Sequence, residues 1–443
     1  MAKTLSKRYS GVLAHPTSFP SPYGIGDFGK GAYDFINFLT GAGQSLWQIL
    51  PLGHTGYGDS PYQAFSAFAG QPLLISPDEL IKDGLLYGDD LRDYPHFNPD
   101  HIYYGDVIPA KLRILHRSYE IFKESADLCM LKEFDVFCEH EKDWLDDYAL
   151  FMAGKDAHGG ACWLEWEDDL RDPDEEIKAA WRERLADSIE YYKYIQFIFF
   201  RQWNAIRDYA HVNGIKIVGD IPIFVALDSA DVWANRELFQ LEKDGYPTVV
   251  AGVPPDYFSA TGQLWGNPLY DWDYHRRTGF AWWKRRCAHM ARLYDVVRID
   301  HFRAFHTYWS IPSGSQDART GHWEPGPGAA LLEALRPIEG LSLIAEDLGD
   351  LDDAARDFIA ESGLPGMKIL LYAFDPEGES AYLPHNCPVN AVAYTGTHDT
   401  PTFVQWLFDE ASPAQRAFAS DYLRLRSDEG FGWGAVCGAW MTP

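Results

Sequence analysis

Four carboxylates in this 443-residue chain each follow a short apolar, β-branched run. Asp220 ends IKIVGD, Asp300 ends VVRID, Glu346 follows LSLIA, and Asp399 follows AVAYTGTH. In a barrel of parallel strands, residues at the carboxyl ends of the strands converge on one face. A single aspartate in this position is more often the cap of the following helix. Four of them, with Arg298 beside one, favour a shared site.

These residue types suit glycosyl transfer with retention of configuration. That reaction needs one carboxylate as nucleophile and one carboxylic acid as proton donor, about 5–5.5 Å apart. Asp300 suits the first role because Arg298, two residues earlier on the same strand face, would keep it ionised. Glu346 suits the second role if neighbouring carboxylates raise its pKa. Asp399 would bond sugar hydroxyls and stabilise positive charge in the transition state.

Six apolar runs predict the strands that position these carboxylates. Each run is followed by a polar or glycine-rich loop, and the runs alternate with helical patterns, which favours parallel βα units over an antiparallel sandwich. The runs begin at Ser45, Gly214, Asp295, Leu341, Gly366 and Asn390. We therefore predict an α/β fold built on parallel strands.

Two stretches differ from this pattern within what we expect to be a single catalytic domain, 1–443. Residues 78–210 carry helical periodicity, many charges and no clear strand, which predicts a mostly helical insertion between two barrel units. Residues 248–271 are rich in glycine, proline and aromatic residues and predict a long functional loop without regular structure.

The sequence gives little support for a nucleotide-binding site or a metal-binding site. The pattern Gly24-Ile-Gly26-Asp-Phe-Gly29 matches a dinucleotide-binding turn in spacing, but the prolines of HPTSFPSPY exclude the central strand that must precede it. His301 and His306 are five residues apart, not the i, i+4 spacing that places two imidazoles on one helix face. The sequence has no Cys/His quartet and no calcium-binding loop. It therefore predicts neither a metal nor a cofactor.

The composition favours a soluble cytoplasmic protein. With 38 basic and 65 acidic residues the net charge is −27, which argues against nucleic acids and anionic membranes as partners. The first twenty residues lack the apolar core of a signal peptide, and no apolar run approaches the ~18 residues of a membrane span. Six scattered cysteines suit free buried thiols in a reducing cytoplasm. The tryptophans, 16 in number, suit a large core or a carbohydrate cleft.

Longer motifs around the carboxylates resemble a known family. The sequences RIDHFR at 298–303, AEDLG at 345–349 and GTHDT at 396–400 are similar to signatures of the 4-α-glucanotransferases, the amylomaltases or disproportionating enzymes of glycoside hydrolase family seventy-seven. HPTSFPSPYGIGDFG, WQILPLGHTGYGDSPYQAFSAFAG and GVPPDYFSATGQLWGNPLYDWD resemble the same family. The resemblance also explains the glycine pattern as part of an N-terminal loop.

The resemblance implies a (β/α)8 TIM barrel with helical and loop insertions, and a double displacement on α-1,4-glucans. It implies Asp300 as nucleophile, Glu346 as general acid/base and Asp399 as stabiliser of the transition state. It also implies that 248–271 arches over the cleft as an active-site lid. Tyr257 and Phe258 are further candidate lid rings, and packing within the loop is an equal alternative for them. The candidate substrate-binding residues are Arg298, His398, Asp220, Ser60, Tyr62, Gln263, Trp265, His301 and Asp375.

One departure from the family concerns the C-terminal region. Family members continue past the stretch that ends here at Pro443, so we expect a barrel without its last strand and helix in this chain. Three activities stay open. The first is a 4-α-glucanotransferase acting on α-1,4-glucans and maltooligosaccharides, with glucose or a glucan as acceptor. The others are a retaining α-glucan hydrolase and a catalytically silent glucan-binding protein.

Overall fold

The computed structural model describes residues 8–256, 259–349 and 351–443. Strands and helices alternate along most of this length. The strands are β1 (Gly11–Leu13), β2 (Leu46–Gln48), β3 (Lys216–Ile221), β4 (Val249–Val253), β5 (Gln263–Pro268), β6 (Val296–Ile299), β7 (Thr307–Pro312), β8 (His322–Pro325), β9 (Leu343–Ala345), β10 (Gly366–Ile369) and β11 (Ala391–Tyr394).

Seven of the described strands run parallel and form the wall of a barrel. Their order is β1, β2, β3, β6 and β9, followed by the β10–β11 pair. Ala345 of β9 donates its backbone N–H to the Pro365 carbonyl at 2.9 Å, which brings β10 alongside β9. The prediction of an α/β fold on parallel strands is confirmed.

All six predicted runs form barrel strands, namely β2, β3, β6, β9, β10 and β11. β1 is not among the predicted strands, because its three residues stand between polar segments rather than within a longer apolar run, as the equally short β2 and β9 do. Its pairing partner is β2, with Val12 opposite Trp47. This strand depends on a neighbour more than thirty positions along the chain rather than on its own sequence.

Helices connect most neighbouring barrel strands, as parallel pairs require, since the chain must return to the same end of the sheet. α1 precedes β2, α7 precedes β3, α10 precedes β6, α11 precedes β9 and α12 precedes β10. The helices are α1 (Lys30–Gly41), α2 (Pro77–Lys82), α3 (Tyr104–Ser125), α4 (Leu128–Ala157), α5 (Asp168–Arg171), α6 (Glu175–Arg184), α7 (Ala186–Val212), α8 (Ala230–Ala234), α9 (Trp272–Arg277), α10 (Ala281–Leu293), α11 (Ala329–Leu335), α12 (Asp353–Ser362), α13 (Phe403–Gln405), α14 (Pro413–Tyr422) and α15 (Phe431–Trp440).

Aromatic side chains hold α3, α4 and α7 together in the helical stretch. The Phe134 ring of α4 lies 5.3 Å from Phe122 of α3 and 5.7 Å from Phe197 of α7, measured between ring centroids. α7 also reaches the barrel, where Trp203 lies 6.5 Å from Trp47 of β2. This stretch is therefore helical, and how much of it is an insertion stays a prediction.

A second sheet contains four antiparallel strands in the order β5, β4, β7 and β8. Residues 248–271 supply β4 and β5, so the expectation of a loop without regular structure is wrong. Gly252 allows the close approach of these strands, because a Cβ atom at this position would lie 2.2 Å from the Gln263 carbonyl oxygen. On its other side β4 pairs with β7, whose residues lie more than fifty positions further along the chain.

Two of the helices are long, with 30 residues in α4 and 27 in α7. Their buried faces include the polar residues Glu141, Lys155 and Gln202. Within the described part of the chain, no helix is both long enough and apolar enough to cross a lipid bilayer.

Candidate active site

Three of the predicted residues meet where β3 and β6 pair. Asp220 of β3 stands opposite Arg298 of β6 in the strand register. Nη1 of Arg298 donates to both carboxylate oxygens of Asp220, at 2.9 and 2.8 Å. The same nitrogen lies 2.8 Å from Oδ1 of Asp300, which follows β6 directly. One guanidinium group therefore bridges two carboxylates.

Two of the three side chains in this bridge are almost completely removed from water, so their charges interact strongly. The Arg298 and Asp220 side chains are 3% and 1% exposed, whereas Asp300 is 30% exposed and faces the open end of the barrel. Burial alone would lower the pKa of Arg298, but the charges of Asp220, Asp300 and Glu346 outweigh it and raise that pKa. Arg298 is thus a permanent cation that orients Asp300.

Glu346 lies at the end of the neighbouring strand β9, held by two backbone donors. Its Oε2 accepts the N–H of His301 at 2.8 Å, and its Oε1 accepts the N–H of Leu348 at 2.9 Å. Burial, and then the charge of Asp300, raise the pKa of Glu346 to about 7, against the opposing effects of Arg298 and the two amides. A substantial fraction of Glu346 is therefore protonated near neutral pH, as an acid catalyst requires.

Tyr62 connects this cluster to the end of β11. Its hydroxyl donates to Oδ2 of Asp220 at 2.8 Å and lies 2.8 Å from Nε2 of His398. The Tyr62 and His398 rings are stacked, with centroids 5.2 Å apart and planes 10° apart. Nε2 of His398 lies 3.2 Å from Oδ2 of Asp399, and the Ser60 hydroxyl accepts the Tyr62 N–H at 3.3 Å. The structure thus links all four predicted carboxylates through hydrogen bonds or short contacts.

The β4–β5 hairpin brings Trp265 to the same end of the barrel. The Trp265 ring meets the His301 ring edge to face, with centroids 5.0 Å apart. Its indole N–H donates to Oε1 of the exposed Gln263 at 3.0 Å. The candidate lid rings Tyr257 and Phe258 lie outside the described residues.

His301 is held in an unusual backbone conformation between Asp300 and the hairpin. Its φ angle is +52°, in the left-handed region. Burial lowers the pKa of its imidazole to about 4, so the ring is neutral at pH 7. A neutral ring beside Trp265 adds no competing cation near Asp300.

Asp375 is the predicted residue with the weakest link to the cluster. It follows β10, it is exposed, and its Oδ1 accepts the N–H of Glu377 at 2.9 Å. Among the recorded contacts of the described residues, none joins Asp375 to the other carboxylates. Its role in sugar binding stays a prediction.

Sequence reasoning missed two residues at this end of the barrel. The pKa of the Tyr372 hydroxyl is raised by burial and then by the charges of Asp399 and Glu346, so Tyr372 lies within the electrostatic reach of both. His15 is partly buried near His398, and desolvation lowers its pKa to about 3. Tyr372 lies in one of the apolar runs and His15 begins the HPTSFP motif, but neither position carries a charge that would mark it in the sequence.

Within the described residues, no group of three or more His, Cys, Asp or Glu side chains is arranged to hold a metal ion. Gly24–Gly29 forms turns that lead into α1, and β1 ends ten residues before Gly24. The strand-to-turn geometry of a dinucleotide site is not present there.

Comparison with known proteins places this cluster in a family. The sequence model of glycoside hydrolase family 77, described as 4-alpha-glucanotransferase, matches residues 14–443. The chain belongs to the 4-α-glucanotransferase family. Relatives named 4-alpha-glucanotransferase from Thermus thermophilus and Synechocystis sp. are 47% and 46% identical over 419 and 436 residues. These alignments cover 94% and 98% of this chain, and 83% and 86% of the relatives.

The solved structures that match this chain are amylomaltases, in agreement with the family of the sequence relatives. The amylomaltase from Streptococcus agalactiae in complex with acarbose matches with a TM-score of 0.93 and 40% identity, over 97% of this chain and 87% of that one. The amylomaltase from Corynebacterium glutamicum matches with a TM-score of 0.76 at 21% identity, over 95% and 61%, and shows the shared fold. The predicted family, barrel fold and enzyme class are confirmed.

Proposed function

We propose that this 4-α-glucanotransferase transfers α-1,4-glucan segments through a covalent intermediate on Asp300. The observation that supports this most directly is the single guanidinium of Arg298, which contacts both Asp220 and Asp300. It lies 2.8 Å from Oδ1 of Asp300 and orients that carboxylate toward the open end of the barrel. Glu346, whose pKa is raised to about 7, follows the adjacent strand. Retaining glycosyl transfer uses this pairing of an anion with an acid.

The reaction runs in two displacements. In the first, a carboxylate oxygen of Asp300 attacks C1 of the donor sugar, the glycosidic bond breaks, and the leaving oxygen takes the proton of Glu346. In the second, the Glu346 carboxylate removes a proton from the 4-hydroxyl of an acceptor glucan or glucose. That oxygen attacks C1 and releases Asp300. Both inversions together retain the α configuration.

The other residues of the cluster bind the donor sugar in this proposal. Asp399 and His398 lie together on the far side of the Tyr62 hydroxyl from Asp220. Their oxygen and nitrogen atoms suit hydrogen bonds to sugar hydroxyls, and the charge of Asp399 suits stabilisation of an oxocarbenium-like transition state. The stacked Tyr62 ring supplies an apolar face for the sugar.

The β4–β5 hairpin favours transfer over hydrolysis. Trp265 and Gln263 project from β5 beside His301, close to the nucleophile. An aromatic cover that limits water leaves a sugar hydroxyl as the better acceptor. We place the reaction in the cytoplasm, which is supported by six free cysteines.

Asp300→Asn tests the proposed nucleophile. The variant keeps the side-chain shape but loses the attacking anion, so we expect kcat/KM for maltotriose to fall by about 10⁴-fold or more. Product chains and free glucose are followed by chromatography, together with reducing ends. The control is Asp353→Asn, which changes an exposed carboxylate paired with Arg356 on α12.

The outcomes separate the three activities. Longer and shorter maltooligosaccharides without a net gain in reducing ends identify transfer, whereas a net gain identifies a hydrolase. A folded wild-type chain that forms no product from maltotriose, while binding it as tightly as Asp300→Asn does, would be a silent glucan-binding protein. An active Asp300→Asn variant would refute the assignment of the nucleophile.

A further inference from the structure

A cleft of about 820 Å³ opens between α4, α7 and α10. Its lining on α7 and α10 comes from the C-terminal parts of those helices, which run into β3 and β6. The opposite ends of β3 and β6 carry Asp220 and Asp300. The cleft therefore lies at the end of the barrel away from the carboxylate cluster.

The cleft has an apolar floor and the volume of a small-molecule site. The rings of Phe137 and Phe200 lie 5.7 Å apart, and Val136 and Leu293 line the same space. Sites for small organic ligands commonly enclose about 300–1,000 Å³ and combine such a floor with a few polar groups.

The acidic side chains of the cleft are already neutralised by arginines. Both oxygens of Glu141 accept hydrogen bonds from Arg292, at 2.7 and 2.9 Å. Although burial opposes it, Arg292 and the Trp144 indole lower the pKa of Glu141 to about 2, so the pair is fully ionic. Glu133 accepts a single hydrogen bond at 2.9 Å, on Oε2, from Arg201 of α7.

Two further cations, Lys132 and Arg207, line this cleft. Lys132 is exposed and forms no salt bridge with the described residues. Arg207 caps the end of α10 by donating from Nη1 to the Arg292 carbonyl, and its Nε is buried without a hydrogen-bond partner. Its contact with Asp208 is long, at 3.5 Å. The exposed amide of Asn204 lines the same rim. In a chain of net charge −27 this is a local excess of positive charge.

We propose that this cleft binds a phosphate monoester of a small organic molecule. Lys132, Arg207 and the Asn204 amide would hold the phosphate, because charge-assisted donors suit its oxygens. The organic part would lie on Phe137 and Phe200. The chemistry fits a sugar phosphate and a nucleoside monophosphate alike, since both join a phosphate to a ring.

Isothermal titration of the full chain at low ionic strength tests the proposal. The probes are glucose 6-phosphate and adenosine monophosphate, with inorganic phosphate and glucose as the separate parts. We expect at least one ester to bind with a Kd of about 1 mM or lower, and at least about tenfold more tightly than either part. The ester that binds more tightly identifies the organic part.

Lys132→Met and Arg207→Met place the binding in this cleft. Each removes one charge-assisted contact and should weaken the ester about tenfold or more. Lys284→Met removes an exposed lysine of α10 outside the cleft and should leave the Kd unchanged. Asn204→Asp adds a negative charge on an exposed residue and should weaken binding without affecting folding. If the esters bind no better than inorganic phosphate, or if these cleft variants keep the wild-type Kd, the proposal is wrong.

Discussion

At the scale of residues, the chemistry of this site depends on an excess of carboxylates around one cation. Asp220, Asp300 and Glu346 surround Arg298, so one of the three is poorly neutralised. Asp220 takes two contacts from the guanidinium and Asp300 takes one. Glu346 receives only backbone amides, and it is the group whose pKa is raised to about 7. Burial also raises the pKa of Asp220, against the opposing charge of Arg298.

The raised pKa of Glu346 predicts the pH dependence of the reaction. The acid must be protonated for the first displacement, so kcat/KM for maltotriose should fall as pH rises above about 7, by about tenfold per pH unit. A pH–rate profile measures this limb. For α-maltotriosyl fluoride, whose leaving group needs no proton, the alkaline limb should disappear. An equal limb with both substrates would contradict the role of Glu346 as acid.

Glu346 also affects the stability of the fold. Its pKa rises from an ordinary value of 4.5 to about 7 on folding, so the folded state binds more protons between these pH values. The free energy of unfolding therefore loses a contribution as pH rises through this range. Glu346→Gln should then raise the Tm relative to wild type at pH 8 and much less at pH 4. Calorimetry of both proteins compares the two conditions.

Tyr62→Phe tests the hydrogen bonds that link Asp220 with His398. The change removes only the hydroxyl, while Asp220 keeps both contacts with Arg298. We expect kcat/KM to fall about 10- to 100-fold, because hydrogen bonds to charged groups contribute about 1.5–3 kcal/mol. Tyr246→Phe is the matched control, since Tyr246 is half exposed on the surface. Unchanged kinetics in Tyr62→Phe would remove Tyr62 from the site.

At the scale of elements, the antiparallel sheet determines where Gln263 and Trp265 stand. β4 lies between β5 and β7, and β7 follows β6 after only seven residues. β4 and β5 are therefore held close to β6, the strand that carries Arg298, through their pairing with β7. Side chains alternate along β5, so Gln263 and Trp265 share one face and Leu264 lies on the other.

Trp265→Ala tests whether the hairpin limits access of water. Loss of the ring beside His301 opens the space next to Asp300, so the share of hydrolysis in the products should rise severalfold while the rate of transfer falls. The ratio of new reducing ends to transfer products measures this share. Leu264→Ala changes the exposed neighbour on the opposite face of β5 and should leave the ratio unchanged. An equal effect of both variants would point to a general loosening of the hairpin.

At the scale of the whole molecule, the net charge of −27 acts on stability rather than on fold. Most of its carboxylates are exposed, and like charges on a compact chain repel one another.

The N-terminal and C-terminal parts of the described chain are nonetheless joined, because Arg8 donates to the carbonyls of Trp440 and Thr442 at 2.6 and 2.7 Å.

Salt should therefore stabilise this protein. Raising NaCl from about 0.01 M to about 0.15 M shortens the screening length from about 30 Å to about 8 Å and weakens the repulsion. We expect the Tm at pH 7 to rise by about 1–3 °C. Near pH 4.5, where many carboxylates are protonated, the same salt step should have a smaller effect. A Tm that falls with salt at pH 7 would show that attractive ion pairs dominate instead.

Much of the site could be predicted from the sequence because its signals are local. Asp220, Asp300, Glu346 and Asp399 each follow an apolar run, and the end of a parallel strand fixes where the next residue must stand. The burial of individual side chains, by contrast, cannot be predicted from the residues next to them in the chain. Two of the six cysteines, Cys287 and Cys387, are buried, whereas Cys129 is exposed, so the expectation of burial holds only in part.

The sequence by itself determined the parallel βα order, six of the seven described barrel strands and the set of carboxylates that lie at their ends. Only the tertiary structure decided that β1 is a strand, that 248–271 is a hairpin, and that Tyr372 and His15 lie at the site. Short strands are marginal alone and form through partners distant in the chain. In the same way, the contact between Tyr62 and His398 joins residues 336 positions apart. No local pattern encodes such a contact, because it depends on how strands distant in the chain are arranged around the barrel wall.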